Sequence, residues 1–356
     1  MKTRTVLHLF IFLLCFTACD NKSVFSIVEL FSKTEELTGQ TFKIAGFSEN
    51  ILNPADMEII NKKLVLLDVQ ASVPFSIIDL EKQKYVKSFG MKGEGPGEIV
   101  GVMDFYVNYD GTGINFWDAM LKRLYFCNND SMLLYNNKCG INIIEKVKDK
   151  NLFNNFFLNV LQIDKSLYLG IGNSGNKRFS LINTKTNKVI YTGEYPKQEM
   201  STKIDPFVNA IAYNGTIRYN KEKNRIVFIS RESEMIELFD VKESGLELIY
   251  GNYSTVPIGE QKTEGKDRGR NIGIAVSDNY IFILCQPRAK VSNTQKDKRR
   301  VNSANDVLVF NWDGKPVIHY KLDNKIASIS VTKDSKRLYA LINKEEPQII
   351  YYDLNF

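Results

Sequence analysis

Phe89-Gly90-Met91-Lys92-Gly93-Glu94-Gly95-Pro96-Gly97-Glu98 is the stretch on which the reading of this chain turns. It is richer in glycine than its surroundings and lies between two runs of short apolar segments. A phosphate-cradling loop needs Gly-Lys-Ser/Thr opening a helix. Here Gly97 is followed by Glu98, a negative charge where phosphate would sit. A dinucleotide fingerprint needs a helix after its glycines, whereas Val100-Gly101-Val102-Met103-Asp104-Phe105-Tyr106-Val107 is strand-like in composition. The run therefore reads as a surface crossing between two sheet units, with glycine supplying positive φ and Pro96 fixing a turn.

Outward from that crossing one pattern recurs: an apolar strand, a gap, a second apolar strand ending in Asp or Asn, a polar turn, and a further strand. The endings are Ile77-Ile78-Asp79, Tyr125-Phe126-Cys127-Asn128, Leu181-Ile182-Asn183, Leu238-Phe239-Asp240, Val309-Phe310-Asn311 and Tyr351-Tyr352-Asp353. Outer strands are expected after the first five, at Lys84–Phe89, Ile141–Val147, Lys188–Tyr195, Leu246–Tyr250 and Pro316–Tyr320. Inner strands are expected upstream, among them Met103–Val107, Asn209–Tyr213 and Ile326–Val331. Asp110-Gly111, Asn214-Gly215 and Asp313-Gly314 read as hairpin turns.

Six four-stranded units, the last lacking its outer strand, make an all-β fold, a six-bladed β-propeller over residues 41–356. Thr41-Phe42-Lys43-Ile44-Ala45-Gly46 is the donor of the missing strand. An N-terminal strand added to the C-terminal blade closes the ring and removes an open edge. A β-sandwich or a pair of barrels is the rival reading of the same alternation.

Lys2 and Arg4 precede an apolar run from Val6 to Phe16, too short to span a bilayer, and then Thr17-Ala18-Cys19. Residues 1–18 read as an export signal. The small Ala18 before Cys19 resembles a bacterial lipoprotein cleavage box, which implies a diacylglyceryl group on Cys19. Residues 19–40 are then a lipidated tether that holds the protein at a membrane. The alternative is ordinary cleavage with Cys19 a bystander. Of the five cysteines, Cys15 leaves with the signal, and Cys127, Cys139 and Cys285 remain beside Cys19. An odd remainder argues against a disulfide framework; a Cys127–Cys139 bridge and buried free thiols are both open. The net charge of +6 falls by two when Lys2 and Arg4 leave, too mild and too interspersed for a nucleic-acid partner.

The lipoprotein box, the Lys92–Glu98 crossing and the Asp-terminated strand pairs together resemble the TolB-like six-bladed propeller lipoproteins of the Bacteroidetes, over nearly the whole mature chain. The resemblance implies the fold and a cell-envelope location, periplasmic or surface-exposed. It carries no catalytic residue onto this sequence.

In such a ring, loops from second to third strands and crossings between blades open on one face. The long irregular stretches Gly90–Glu98, Pro196–Pro206, Gly251–Arg270 and Gln286–Asn305 fall there, and loops on a rigid scaffold are where recognition resides. The candidate ligand-binding face bears Lys92, Glu94, Arg268, Arg270, Arg288, Lys298, Arg299 and Arg300. Lys296-Asp297-Lys298-Arg299-Arg300 suits an acidic glycan, a phosphate-bearing surface or an acidic partner; a merely solvated rim is the plainer alternative.

Catalytic groups are scarce. Once His8 leaves with the signal the only histidine is His319, in an outer strand, where it reads as a bystander. No multi-histidine metal site can be built, and a Ser-His-Asp triad would have to use that residue. No cofactor motif is present. Asp56 and Asp104, on inner strands, would face the central channel, where acids can hold a cation or act as an acid/base pair. The expected function is a non-catalytic binding module for a protein partner or a glycan-type ligand. The alternative is an envelope glycan hydrolase or lyase with carboxylates at the channel.

Overall fold

Six sheets follow one another along the chain, and in each the strands consecutive in sequence lie side by side and antiparallel. The structure is a computed structural model, described over residues 26–95, 97–129, 132, 140–142, 157–174, 176–196, 205–257, 269–288 and 303–356. Blade 1 holds Asp56–Ile60, Lys63–Leu67, Phe75–Asp79 and Lys84–Phe89; blade 2 holds Val102–Val107, Gly113–Asp118, Arg123–Asn128 and Gly140–Asn142. Blade 3 holds Phe157–Gln162, Leu167–Ser174, Lys177–Asn183 and Lys188–Thr192; blade 4 holds Gly215–Asn220, Arg225–Ser230, Ile236–Lys242 and Gly245–Asn252. Blade 5 holds Arg270–Val276, Tyr280–Gln286, Ala304–Asn311 and Pro316–Ile326; blade 6 holds Ser328–Val331, Arg337–Ile342 and Gln348–Asp353. The innermost strands of blades 5, 6, 1 and 2 stand side by side in that order, so the last blade meets the first.

Blade 6 takes its fourth strand from the N-terminal side. Gln40–Thr41 runs antiparallel to Gln348–Asp353, with Gln40 opposite Tyr351 and Thr41 opposite Ile350. The Phe42 N–H then donates to the Ile349 carbonyl at 3.0 Å. The paired stretch is shorter than Thr41–Gly46, because beyond it apolar side chains take the chain into the groove between blades 6 and 1. There Phe42, Phe47 and Ile51 pack with Met57, Leu64, Tyr339 and Ile349.

Ile27 to Leu37, which the sequence reading leaves in the tether, pack against the body of the propeller. Ile27 is buried, and Val28 and Phe31 partly so, in the apolar cluster between blades 4 and 5. Thr34–Leu37 then adds a fifth strand to blade 5, parallel to its outer strand, with Thr34 opposite His319 and Leu37 opposite Leu322. Fully burying a large apolar side chain such as Ile27 is worth roughly 1.5–3 kcal/mol, which favours this docking.

The Asp and Asn endings have a local cause. Asp79 Oδ1 accepts the N–H groups of Glu81 and Lys82, Asn183 Oδ1 those of Lys185 and Thr186, and Asn311 Oδ1 those of Asp313 and Lys315. Each is a side-chain-closed turn between third and fourth strands. In blades 4 and 6 the acid instead meets the arginine that opens the second strand, Arg225–Asp240 and Arg337–Asp353, each at 2.8 Å.

Asn209–Tyr213 is not the inner strand of blade 4. A helix, Pro206–Ala212, occupies that crossing; the Asp205 carboxylate caps it by accepting from Phe207 and Val208 N–H, and Pro206 sits in its first turn. The inner strand is Gly215–Asn220, so Asn214-Gly215 opens a strand and is no hairpin turn. A Cβ on Gly215 would lie 2.0 Å from the Ile229 carbonyl oxygen, so glycine is there for close strand approach. Cys285 is a buried free thiol. Cys127 is disulfide-bonded; Cys139 lies outside the described residues.

Candidate functional site

The centre of the ring is crossed by one arginine. Arg218, on the innermost strand of blade 4, donates from Nε to Glu58 Oε1 of blade 1 at 2.9 Å. Its Nη1 and Nη2 reach Asp104 Oδ2 and Oδ1 of blade 2 at 3.2 and 3.1 Å. Asn159 of blade 3 donates to Asp104 Oδ2 at 3.0 Å. Ser328 of blade 6 donates to Asp56 Oδ1 at 2.6 Å, and Ser330 of the same blade accepts the Ile59 N–H. Five blades thus meet in one polar cluster whose members are almost all buried.

Three carboxyls around one guanidinium leave an excess of acid, and burial settles where protons go. Burial, helped by Asp56 and Asp104, pushes Glu58 up to about 8 against the pull of Arg218. Burial and then the nearby Asp104 carboxylate raise Asp56 as well. For Arg218 burial acts downward, but Asp104, Glu58 and Asp56 outweigh it and hold the guanidinium charged. With its carboxyl at about 8, Glu58 is largely protonated at neutral pH and meets Arg218 as a neutral acceptor. The expectation that Asp56 and Asp104 face the axis is met in position, but Asp104 is turned onto Arg218 and Asp56 onto Ser328. Among the described residues no three His, Cys, Asp or Glu side chains gather to hold a metal ion.

Glu58 and Arg218 are absent from the sequence reading. Their signal is a polar residue flanked by apolar ones inside an innermost strand: Met57-Glu58-Ile59, Met103-Asp104-Phe105, Ile217-Arg218-Tyr219. A second buried pair was equally unmarked. Arg178 of blade 3 lies with Nη2 2.6 Å from Glu237 Oε2 of blade 4, and Tyr253 Oη donates to Glu237 Oε1 at 2.6 Å. The Arg178 guanidinium also covers the Phe179 and Phe228 rings.

The candidate face is built by turns between second and third strands and by crossings between blades. In the glycine-rich crossing the Glu98 carboxylate folds back and accepts the Gly95 N–H at 2.9 Å. A Cβ on Gly93 would meet that carboxylate oxygen at 2.0 Å, so the glycines make room for the protein's own acid, where a phosphate loop would hold an anion. Lys92 Nζ donates to the Val69 carbonyl at 2.7 Å, and Glu94 is exposed at the tip. Arg270 opens blade 5, its Nε 3.4 Å from Gln286 Oε1. The Arg288 N–H donates to Glu234 Oε1 at 2.7 Å. Lys92 and Glu94 therefore stand at the crossing from blade 1 to blade 2, and Arg270 and Arg288 on blade 5. Cys19, Arg268, Lys298, Arg299 and Arg300 lie outside the described residues.

Glu234, in the turn between second and third strands of blade 4, is a junction on this face. It accepts the N–H groups of Ile27 and Arg288 and the Ser254 hydroxyl, while its own N–H goes to Thr255 Oγ1. Burial raises its carboxyl. His319 is packed in the outer strand of blade 5, Nε2 2.8 Å from Asp306 Oδ1. A cleft of about 810 Å³ opens on the opposite face, lined by Tyr280, Thr332, Asp334, Arg337, Asp353 and Phe356 among others; the ion pair Arg337–Asp353 neutralises its wall.

A family model described as TolB-like 6-blade propeller-like matches residues 30–334. No curated protein matches the sequence. Among solved structures, the chain is similar to a member of the DUF4221 family from Bacteroides vulgatus, at 14% identity over 85% of this chain and 92% of that one, with a TM-score of 0.50. It is similar to a protein described as exported, BF0058 from Bacteroides fragilis, at 12% identity over 90% and 99%, TM-score 0.52. It is also similar to the Cps50 (Swd1) β-propeller domain of Myceliophteria thermophila, at 10% identity over 89% and 100%, TM-score 0.51. At these identities the likeness is one of fold.

Proposed function

Because the chain belongs to the TolB-like 6-blade propeller family, we infer that it works as a lipid-anchored interaction module of the bacterial cell envelope. Its loop-rich face engages a protein partner or a glycan-type ligand, and Cys19 carries the anchor. The observation that carries this reading is the axis, where Arg218 takes up Asp104 and Glu58. A glycosidase or lyase run from the channel would need two carboxylates about 5–10 Å apart and open to substrate. Here the axial acids are buried and bonded within the protein, which favours recognition on the rim. The exported relative from Bacteroides fragilis accords with an envelope location.

Two measurements test the reading. Cys19→Ser should move the protein from the membrane pellet to the soluble fraction; unchanged fractionation would remove the anchor. Photo-crosslinkers placed at Glu94 and Arg288 should trap an envelope component in cells, while one at Lys82, on the opposite face, should not. The reverse pattern would place recognition elsewhere.

A further inference from the structure

Among the described residues, large apolar side chains left in water are unevenly distributed. Leu52 and Met120 are 75% and 73% exposed, Val208 and Ile211 51% and 48%, and Val69 and Val100 are exposed too. All six sit in second-to-third-strand turns or in crossings between blades, hence on the loop-rich face. They are spread around the ring from the seam of blades 6 and 1 to the seam of blades 3 and 4. The opposite face shows Phe356, one side of which stacks on Tyr280 with ring centroids 4.5 Å apart. Leu30, Val86, Tyr191 and Leu248 lie in grooves or on outer strands. Single exposed apolar residues are ordinary on a protein surface; what stands out is their gathering on one face.

The place where the chain leaves the body says what covers it. Ile27 is buried, and its N–H lies 3.4 Å from Glu234 Oε2 on this same face. Arg231, three residues before Glu234, donates its N–H to the Asn214 carbonyl just past the helix that bears Val208 and Ile211. Exit point and apolar helix are therefore neighbours. Six residues, 20–25, separate Cys19 from Ser26. Fully extended, that link reaches about 25 Å at most. A blade strand of six or seven residues alone is about 20 Å tall. A lipid on Cys19 therefore brings the loop-rich face to a bilayer easily, whereas presenting the opposite face would consume the whole link along the blade.

We propose that the loop-rich face rests on the membrane entered by the Cys19 lipid, with Leu52, Met120, Val208 and Ile211 at headgroup depth. The inference rests on the lipid-anchor reading and names the lipid surface as what this face meets first. A ligand or partner then reaches the face from within the membrane plane. The two acyl chains of the diacylglyceryl group supply the anchoring, and aliphatic side chains at headgroup depth add buried apolar area to it.

The test uses the full lipidated chain reconstituted into phosphatidylethanolamine/phosphatidylglycerol vesicles containing a brominated phospholipid quencher. Met120→Trp and Ile211→Trp should each lose emission. Lys82→Trp, on the opposite face, should keep it, and the unsubstituted protein, with Trp117 and Trp312 buried, sets the baseline. Equal quenching at the three positions, or quenching at Lys82→Trp alone, would overturn the placement. Flotation of the unsubstituted protein separates the two readings. If it fails to float with vesicles, the anchor falls and the proposal with it; if it floats but Met120→Trp and Ile211→Trp stay bright, the anchor stands and the face is turned away, as it would be when held by a protein partner.

Discussion

Replacing Arg218 by methionine removes the one cation that spans the axis while keeping a long side chain in place. Four charge-assisted hydrogen bonds go, one to Glu58, two to Asp104 and one to the Ile217 carbonyl, at 2.9 to 3.2 Å. What remains is a set of buried acids without a counter-charge. Stranding one side of a buried pair costs about 3–5 kcal/mol, and that loss is expected near and above neutral pH. In acid the stranded carboxyls take protons, the charge penalty is lifted, and only the missing hydrogen bonds remain as a loss. The deficit of Arg218→Met should therefore widen from about pH 5 to about pH 8, because the unfolded chain releases these protons more readily than the folded one. Urea unfolding followed by tryptophan fluorescence, extrapolated linearly, reads the difference. Adding Glu58→Gln and Asp104→Asn to Arg218→Met should recover much of the loss, since neutral amides leave no stranded charge. A deficit of equal size at both pH values, or a triple variant no more stable than the single one, would refute the account of the axis.

Glu58→Gln alone should flatten the pH dependence of stability. The folded carboxyl sits at about 8 against about 4.3 for a free glutamate. Its contribution is therefore whole in acid, declines once the unfolded chain begins to ionise, and is gone as pH rises through about 8. Urea midpoints of wild type and variant should converge in acid and separate toward about pH 8, with Asp56, raised in the same sense, leaving a residual slope; parallel profiles would count against the shift. Gly215→Ala should destabilise by about 1–3 kcal/mol, the usual cost of overpacking, since its Cβ meets a backbone carbonyl that cannot step aside. An unchanged urea midpoint would mean the two strands of blade 4 have slack.

How far the fold was legible varied from element to element. Asp79, Asn183 and Asn311 close turns with their own side chains, a short-range interaction that leaves a mark in local sequence. The helix Pro206–Ala212 is locally marked as well, by Asp205 and Pro206, but the apolar spacing of Asn209–Tyr213 suits a strand equally. The lone polar residue inside several innermost strands was a third mark, visible only once those strands are laid side by side.

By itself the amino-acid order determined the number of sheets, their strand succession and the N-terminal origin of the last ribbon, because alternation and turn chemistry act over a few residues. Only the tertiary structure decided that Glu58, Asp104 and Arg218, as many as 160 positions apart, share one buried cluster. It alone decided that Lys92 and Arg288 stand apart, and that Ile27 leaves the body on the face where Met120 and Ile211 are bare. The reason is physical: proximity across a ring depends on how six sheets close around an axis, and no local preference along the chain encodes which side chains that closure brings together.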